Sequence, residues 1–508
     1  MAKPKLSMRD RYRLLTRDLD WTPTYVDPRN VYPYTRYEGI KIHDWDKWED
    51  PFRLTVDSYC KYQAEKDKKL YAVIDGFAQG QGHLSLTDAR YVNSLKLFLC
   101  GVTPLEYAAH RHFGYLARHL DGAGGRFAAL CQSIDELRHA QTETHTISQY
   151  NKYYGGLHDF GKMHDRVWYL SVPKSFFDDG ISAGPFEFLT AISFSFEYLL
   201  TNLLFVPFMS GASFNGDLAT MTFGFSAQSD ESRHMTLGLE VIKFMLEQDE
   251  ANVPIVQDWI DKWFWRGYRL LGLVAAMMDY MLPKKIMSWK EAFELYMEKQ
   301  MLEGLFPDLE YYGIRPPRHI QQAITEKEYM SHQVYWILYQ FSHAANFNTT
   351  VPPREELDWM SEVYPDTFDR HYRPLWERAR DLQEQGKRFF FNGLPMLCQV
   401  CQIPMGFTEP GDPSTICVRT SDFRDERFNF CSDGCKWIFD REPEKYVQAW
   451  LPVHQIYQGN CGGGTIPDVL AWYGIQEGDS GEYKGSVDDN NWNTWHNAAD
   501  HSHIGSEA

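Results

Sequence analysis

The stretch IDELRH, residues 134–139, returns later in the chain as SDESRH, residues 229–234. Both copies hold Asp, Glu, Arg and His at the same offsets. Residues three apart lie on nearly the same face of an α-helix, one turn along its axis. Each copy therefore predicts a helix that aims a carboxylate and an imidazole at one point, namely Glu136 with His139 and Glu231 with His234.

Two single glutamates complete a recurring order. Glu106 precedes Glu136, Glu197 precedes Glu231, and each is a lone acid in an apolar stretch. The order Glu, Glu-x-x-His, Glu, Glu-x-x-His is the ligand pattern of a dinuclear metal site in a four-helix bundle. Four carboxylates neutralise two divalent cations, and a mostly oxygen ligand set favours iron or manganese. Salt-bridged helices without metal are the alternative, but four buried carboxylates without a cation would be costly.

The other members of the repeat predict support for these ligands. Asp135 and Asp230 are each expected to accept the second ring N–H of the histidine in their own copy, which would fix its tautomer. Arg138 and Arg233 are expected to pair with carboxylates behind the ligands. Thr201 follows Glu197 by four residues and should share its helix face. Its hydroxyl could donate a proton toward metal-bound oxygen, or it could simply bond a helix carbonyl.

A helical apolar period runs almost throughout residues 87 to 300 and predicts an all-α fold. The expected architecture is a ferritin-like four-helix core elaborated with extra helices, plus a small C-terminal zinc module. Helix starts are predicted at Thr87-Asp88, Thr103-Pro104 and Gly184-Pro185, and a stop at the glycines of 122–125. The predicted segments are an N-terminal extended arm and helix (1–80), the metal-binding core (81–300), additional helices (301–392), a cysteine module (393–450) and a partly polar C-terminal extension (451–508).

The cysteine module is predicted from two close pairs. Cys398, Cys401, Cys431 and Cys435 read as C-x2-C followed by C-x3-C. Four thiolates at this spacing suit a tetrahedral structural zinc with no free coordination position, and an iron–sulfur cluster is the alternative. The remaining five of the nine cysteines are predicted to be unpaired: Cys60, Cys100, Cys131, Cys417 and Cys461.

Composition excludes several classes of function. The 508-residue chain has a formal net charge of −18, which gives no reason to expect nucleic acid or an anionic membrane as a partner. The N-terminus lacks the apolar stretch of a signal peptide, so a cytoplasmic protein with reduced thiols is expected. Residues 188–209 are long enough to cross a bilayer, but the central Glu197 favours a buried helix instead.

These motifs, together with YEGIKIHDWDKWEDPFRLT (37–55), VWYLSVPKSFF (167–177), FGFSAQSDESRHMTLG (223–238) and LPMLCQVCQIPM (394–405), resemble the bacterial multicomponent monooxygenases. Among these, the chain most resembles the large oxygenase subunit of phenol hydroxylases. The resemblance implies a di-iron core that activates O2 and hydroxylates an aromatic ring. It implies a catechol product from phenol or related substrates.

The resemblance also implies roles for single residues. The implied iron ligands are Glu106, Glu136, His139, Glu197, Glu231 and His234, with Thr201 and Glu231 as the catalytic candidates. The implied substrate pocket comprises Val102, Ala109, Phe176, Ile192, Phe196 and Phe205, although each of these is also an ordinary core residue. Asn202 and Gln228 resemble polar residues near the surface where a regulatory protein docks.

The chain holds no G-x-G-x-x-G and no C-x4-C-x2-C motif, so it is not expected to bind nicotinamide, flavin or a ferredoxin-type cluster. The resemblance implies that electrons come from a separate NADH-dependent reductase with FAD and a [2Fe–2S] cluster. It further implies sister oxygenase subunits, predicted as a dimer of heterotrimers, and a small regulatory protein. Two alternatives stay open at this stage: a di-iron radical protein like the small subunit of ribonucleotide reductase, and a non-catalytic iron-binding scaffold subunit.

Overall fold

The computed structural model describes residues 7–18, 37, 39–153, 168–341, 343–344, 347–387, 396–449 and 451. The helices are α1 (Met8–Arg13), α2 (Val56–Gln79), α3 (Ala89–His119), α4 (Ala123–Tyr150), α5 (Trp168–Ile181), α6 (Pro185–Leu189), α7 (Leu199–Phe214), α8 (Leu218–Gln248), α9 (Val253–Leu270), α10 (Gly272–Ala276), α11 (Trp289–Phe293), α12 (Phe306–Glu310), α13 (Ile320–Glu326), α14 (Met330–Phe341), α15 (Arg354–Val363), α16 (Arg373–Glu384), α17 (Asp433–Arg441) and α18 (Pro443–Tyr446). The prediction of a mainly helical protein is confirmed.

Wider π-helical turns continue several of these helices. They span Leu14–Asp18, Thr190–Tyr198, Met277–Met281, Glu294–Leu305 and Phe368–Tyr372. Single 3-10 turns lie at Trp45–Lys47, Gly82–Ser85 and Glu250–Asn252. The segment Thr190–Tyr198 joins α6 to α7 and carries Glu197, so one of the four predicted metal-site helices is π-helical at its ligand. Such insertions are frequent at functional sites.

Four long helical elements build the core around the predicted ligands. They are α3, α4, α8 and the run from α6 through Thr190–Tyr198 to α7. Gly238 of α8 permits a close approach of two backbones, since a Cβ atom there would lie 2.2 Å from the backbone oxygen of Ser193. The residue between two packed backbones has to be glycine for this reason. The contact holds the Glu197 segment against the helix that carries Glu231.

The predicted helix start at Thr103-Pro104 is wrong, because α3 runs through these residues without interruption. Proline removes one backbone donor from a helix interior, which destabilises an isolated helix. Here Leu99, Gly101 and Leu105 are buried around the proline, so tertiary packing holds the turn. Thr103 Oγ1 also donates to the backbone oxygen of Leu99 at 2.8 Å. The predicted stop near residues 122–125 falls between α3 and α4, but Gly124 and Gly125 belong to α4.

Residues 185–214 are long and apolar enough to span a membrane by length and composition. However, 78% of the most apolar window is buried inside the fold. The segment also carries Glu197, whose charge is costly in a bilayer. It is therefore a core helix, as the sequence predicted.

The described residues 396–449 form a compact unit within the predicted cysteine module. Its strands pair as two antiparallel hairpins, β3 (Thr408–Glu409) with β4 (Asp412–Ile416) and β5 (Arg419–Phe423) with β6 (Glu426–Phe430). A third small hairpin, β1 (His343–Ala344) with β2 (Phe347–Asn348), lies outside the module. These strands depart from an all-α fold. The predicted module start at 393 and almost all of the extension 451–508, including Cys461, lie outside the described residues.

Candidate metal centre

Two clusters of potential metal ligands meet at Glu136. Ligand atoms of Glu106, Glu136 and His139 lie within 4.8 Å of one another, and so do those of Glu136, Glu231 and His234. The residues come from three helices, α3, α4 and α8. A carboxylate common to two ligand sets is suited to bridge two metal ions.

Both histidines turn Nδ1 toward the carboxylates. His139 Nδ1 lies 3.4 Å from Glu106 Oε2, and His234 Nδ1 lies 3.4 Å from Glu136 Oε1. Both Nδ1 atoms are buried and have no hydrogen-bond partner among the described residues. Buried polar atoms need partners, and the lone pair of a neutral imidazole is a metal ligand. The two unpartnered nitrogens therefore fit a metal ion in each cluster.

The far ring nitrogens are held by aspartates of the opposite sequence copy. His139 Nε2 lies 3.2 Å from Asp230 Oδ2, and His234 Nε2 lies 3.3 Å from Asp135 Oδ2. The prediction that each aspartate supports the histidine of its own copy is wrong. Nε2 is the ring nitrogen farther from the backbone, so it reaches an aspartate on the facing helix rather than the aspartate on the histidine's own helix.

Glu197 lies beside the two clusters but belongs to neither. Gln132 connects it to them, because its Nε2 donates to Glu197 Oε1 at 3.0 Å and to Glu136 Oε1 at 3.1 Å. Sequence analysis missed Gln132, although its position four residues before Glu136 places it on the same helix face. The structure thus brings five of the six predicted ligands into the clusters and places the sixth next to them.

The pKa values of the buried Glu197 and Glu136 shift in the opposite direction from that of Asp230 behind them. Burial, and then the charge of Glu231, raise the pKa of Glu197 well above its ordinary value. Burial also raises the pKa of Glu136. Burial alone would raise the pKa of Asp230, but its hydrogen bond with His139 and the charges around it hold that pKa well below the usual range. A nearby cation would lower the pKa of the buried Glu136 and Glu197, whereas Asp230 already has positively charged neighbours.

Helix α2 supplies polar contacts that sequence analysis missed. Tyr59 donates to Asp135 Oδ1 at 2.6 Å, and Lys66 Nζ lies 2.5 Å from Asp230 Oδ2. Gln63, between them, contacts both aspartates. The spacing 59, 63, 66 places all three on one helix face, and that spacing was the available signal. Arg138 and Arg233 lie in the same layer: Arg138 Nη1 is 3.1 Å from Asp135 Oδ1 and 3.2 Å from Asp230 Oδ2, and Arg233 contacts Asp135.

The clusters open onto an apolar cavity. Its apolar lining comprises Leu97, Phe98, Gly101, Val102, Leu105, Ala109, Tyr169, Pro173, Phe177, Ile192, Phe196, Leu204, Phe205, Leu270, Leu273, Val274 and Met277. The polar residues of the wall are Glu106, Glu136, Glu197, Glu231 and Thr201. Five of the six predicted pocket residues are in this lining. Phe176 is not in this lining but packs against Trp263 and the lining residue Phe196, so its role in the pocket stays a prediction. Phe177, in line with Tyr169 and Pro173 on α5, lines the cavity instead.

Thr201 and the predicted docking residues lie on α7 and α8. Thr201 Oγ1 donates to the backbone oxygen of Phe196 at 3.1 Å, which is the carbonyl bond considered from sequence, while the residue also faces the cavity. Asn202 and Gln228 are half-buried at the surface. Phe225, one turn before Gln228, exposes 46% of its surface. The surface near the site is therefore partly apolar.

The second ligand cluster consists of sulfur only. The Sγ atoms of Cys398, Cys401, Cys431 and Cys435 lie within 4.8 Å of one another, with 3.5 Å between Cys401 and Cys431 and 3.8 Å between Cys431 and Cys435. A tetrahedral zinc with bonds of about 2.3 Å separates its sulfurs by about 3.8 Å. The cluster therefore fits the predicted metal. The other described cysteines are also free of disulfides, namely Cys60, Cys100, Cys131 and Cys417.

Buried charges connect the cysteine module to the helical core. Asp179 of α5 lies 3.0 Å from Arg266 Nε and 2.5 Å from Lys445 Nζ, and it accepts a hydrogen bond from Tyr446 at 2.5 Å. Burial alone would raise the pKa of Asp179, but the charges of Lys262, Arg266 and Lys445 hold it well below the usual range. Asp179 therefore stays ionised and connects α5 to the cysteine module through Lys445 and Tyr446.

Comparison with known proteins gives consistent matches. The family described as methane/phenol/alkene hydroxylase matches residues 21–249, and the YHS domain matches residues 407–450, within the cysteine module. The oxygenase component of phenol 2-monooxygenase from Pseudomonas sp. strain CF600 is 62% identical over 96% of this chain and 95% of its own length. The alpha subunit of the alkene monooxygenase oxygenase component from Xanthobacter autotrophicus is 27% identical over 92% of this chain and 94% of its own length.

A solved structure extends this similarity to the fold. The crystal structure of the xenon-pressurized phenol hydroxylase from Pseudomonas sp. OX1 matches with a TM-score of 0.91 and 61% sequence identity. The match covers 97% of this chain and 100% of the other.

Proposed function

The chain belongs to the methane/phenol/alkene hydroxylase family, and from this premise we propose that it is the catalytic subunit of the oxygenase component of a phenol 2-monooxygenase system. One observation carries the proposal: two ligand clusters that share Glu136 open onto an apolar cavity of aromatic and aliphatic side chains. The relative with 62% identity is a phenol 2-monooxygenase component, which supports the choice of phenol and related aromatics as substrates.

The proposed metal is iron, with one ion in each cluster. Glu106, Glu136 and His139 would hold one ion, and Glu136, Glu231 and His234 the other. Glu197, released from Gln132, would complete the set. A pair of iron ions at this place supplies the redox chemistry that activates O2. The four cysteines of the module would hold one zinc in a closed site with a structural role.

The chain's own groups would orient the substrate and manage protons. The apolar wall around Val102 and Phe196 binds an aromatic ring and excludes bulk water. Thr201 presents a hydroxyl in the same wall and is the proposed proton donor, since it can exchange its bond to the Phe196 carbonyl for one toward the cavity. Glu231 is the second proposed catalytic residue, and its carboxylate lies within 3.5 Å of both His139 Nδ1 and His234 Nδ1.

Partners are proposed from the names of the relatives, which are components of multicomponent systems. Sister oxygenase subunits would complete the enzyme, as a dimer of heterotrimers, and an NADH-dependent reductase with FAD and a [2Fe–2S] cluster would deliver electrons. A small regulatory protein would dock on α7 and α8 near Asn202 and Gln228, where Phe225 is exposed. The unpaired state of every described cysteine supports a cytoplasmic location.

The test is reconstitution with labelled oxygen. The chain with its sister subunits, reductase and regulatory protein should convert phenol to catechol with one atom from 18O2, and only when NADH is present. Glu231→Ala should abolish the product. Glu240→Ala, at a partly exposed residue of the same helix that pairs with Lys243 and is in neither ligand cluster, should leave it unchanged. No labelled catechol from the complete system, or turnover without the reductase, would contradict the proposal.

A further inference from the structure

A closed set of hydrogen bonds lies behind the two ligand histidines. Asp230 holds His139, and Asp135 holds His234, each through one carboxylate oxygen, Oδ2. The other oxygen of each aspartate, Oδ1, accepts a hydrogen bond from the same side chain on α2, and Asp135 Oδ1 also accepts from Tyr59 and Arg138. Gln63 Nε2 donates to Asp135 Oδ1 at 2.7 Å and to Asp230 Oδ1 at 2.8 Å. One amide nitrogen therefore joins both aspartate–histidine pairs.

The orientation of this amide is fixed by its neighbours. An amide nitrogen has two hydrogens, so each hydrogen serves one aspartate. Rotating the amide by 180° would place its oxygen between two carboxylates, where it would be repelled. Gln63 is 3% exposed, and its Oε1 has no hydrogen-bond partner among the described residues. Leaving a buried acceptor unpartnered is unfavourable, so the two donor bonds must determine the orientation.

The position also calls for a neutral donor. Lys66, Arg138 and Arg233 already surround Asp135 and Asp230 with three positive groups. A further cation would add repulsion, and a carboxylate would add a third negative charge to the aspartate pair. A glutamine supplies two donors and no charge. Helix α2 holds none of the proposed metal ligands, so this contact is made from outside the four core elements.

We propose that Gln63 is a positioning residue that couples the two halves of the metal centre. By fixing both aspartates it fixes both Nε2 contacts, and so it aims both Nδ1 atoms at the carboxylate clusters. The inference rests on the proposed function only in taking His139 and His234 as metal ligands. The proposal predicts that loss of the Gln63 side chain weakens metal binding at both positions together.

Variants of the two aspartates show what an uncoupled effect would be, since each should weaken metal binding at one position only. Asp135→Asn should mainly affect the metal at His234, and Asp230→Asn mainly the metal at His139, because each contacts one histidine. Gln63→Met retains the length of the side chain and removes both donors. Residues that orient metal ligands from behind usually change metal affinity about 10- to 100-fold when replaced. A loss of about tenfold at both positions is therefore expected for Gln63→Met.

The experiment measures metal binding without turnover. The full chain in its oxygenase complex is stripped of iron and titrated with Co²⁺, whose visible absorption reports the coordination of each position. It is also loaded with 57Fe for Mössbauer spectra. Gln63→Met should weaken both binding steps and change both iron signals, with unchanged zinc content. Gln333→Met is the matched control, because Gln333 is equally buried but bonds Tyr372 and Thr408 far from the clusters; it should leave metal binding unchanged.

Three outcomes would overturn the proposal: unchanged metal binding in Gln63→Met, a change at only one position, or an equal change in Gln333→Met. If Gln63→Met does not fold, as judged by zinc content and circular dichroism, Gln63→Asn decides. Asparagine keeps the amide but is shorter by one methylene, so the amide no longer reaches both aspartates. The same weakening of metal binding at both positions is expected. Failure of the proposed function would look different, since the wild-type complex would then bind a metal pair without hydroxylating phenol.

Discussion

The two metal-ligand centres of this chain are built in opposite ways. The carboxylate–histidine centre takes its ligands from Glu106 to His234, on three helices, and it faces a cavity. The four-cysteine centre takes its ligands from Cys398 to Cys435, and each cysteine is at most 2% exposed. A mixed oxygen and nitrogen set beside a cavity leaves room for further ligands, whereas four sulfurs around one ion leave none. The proposed function accordingly assigns chemistry to the first centre and stability to the second.

The largest effects are expected when the metal content of two variants is measured, one for each centre. Wild-type protein is expected to hold about two irons and about one zinc per chain. Glu136→Ala removes the carboxylate common to both clusters, so iron should fall close to zero while zinc stays. Cys398→Ser should lose zinc and lower thermal stability while iron ligands remain intact. Elemental analysis that finds both metals lost in both variants would show that the centres are not separate.

The second test breaks the connection between the cysteine module and the core. Asp179→Asn leaves Arg266, Lys262 and Lys445 around a neutral group, and uncompensated buried charge costs about 3–5 kcal/mol. Denaturant unfolding should show a loss of this size at pH 7. The folded pKa of Asp179 is depressed, so its contribution is complete above the unfolded pKa of about 4 and declines as pH falls below it.

The difference between wild type and Asp179→Asn should therefore shrink below about pH 4. Arg424→Gln is the control, because Arg424 pairs with Glu444 at the exposed surface of the same module, and such pairs contribute little. A loss in Arg424→Gln as large as that in Asp179→Asn would mean that any charge change in the module has this effect.

The sequence predicts the ligands of both centres better than their surroundings. Spacing along one helix is enough to pair Glu136 with His139, since three residues make nearly one turn. It cannot say which facing helix meets the tip of an imidazole, which is why the aspartates were assigned to the wrong histidines. Gln63 and Gln132 were missed because their helix spacing gives only the face on which they lie, and tertiary packing decides which carboxylates their amides reach. Phe177 was missed as a lining residue because sequence alone does not show which of two neighbouring residues, about 100° apart on a helix, faces the cavity.

The third test places one methyl group at a tight glycine contact near each centre. A Cβ atom at Gly238 would lie 2.2 Å from Ser193 O, and one at Gly434 would lie 2.3 Å from Trp265 Nε1. Overpacking of this kind costs about 1–3 kcal/mol. Gly238→Ala should also weaken iron binding, because it displaces the segment of Glu197, whereas Gly434→Ala should lower stability alone. Gly76→Ala, where nothing lies within 4 Å of the added Cβ atom, should not destabilise the protein. Similar losses of stability and of iron in all three variants would show that the two contacts do not act on separate centres.

The smallest expected effect concerns the cavity beside the carboxylate–histidine centre. Val102 lines it one turn before Glu106 on α3, so its size should decide how a substituted aromatic lies beside the metals. A difference of about 1 kcal/mol between two orientations changes their ratio about fivefold. In the reconstituted system, Val102→Ala and Val102→Phe should shift the ring positions hydroxylated in opposite directions at unchanged iron and zinc content. Val241→Ala, a buried valine of α8 outside this lining, should leave the products as they are. An identical product distribution in all three variants would show that the cavity wall near Glu106 does not orient the substrate.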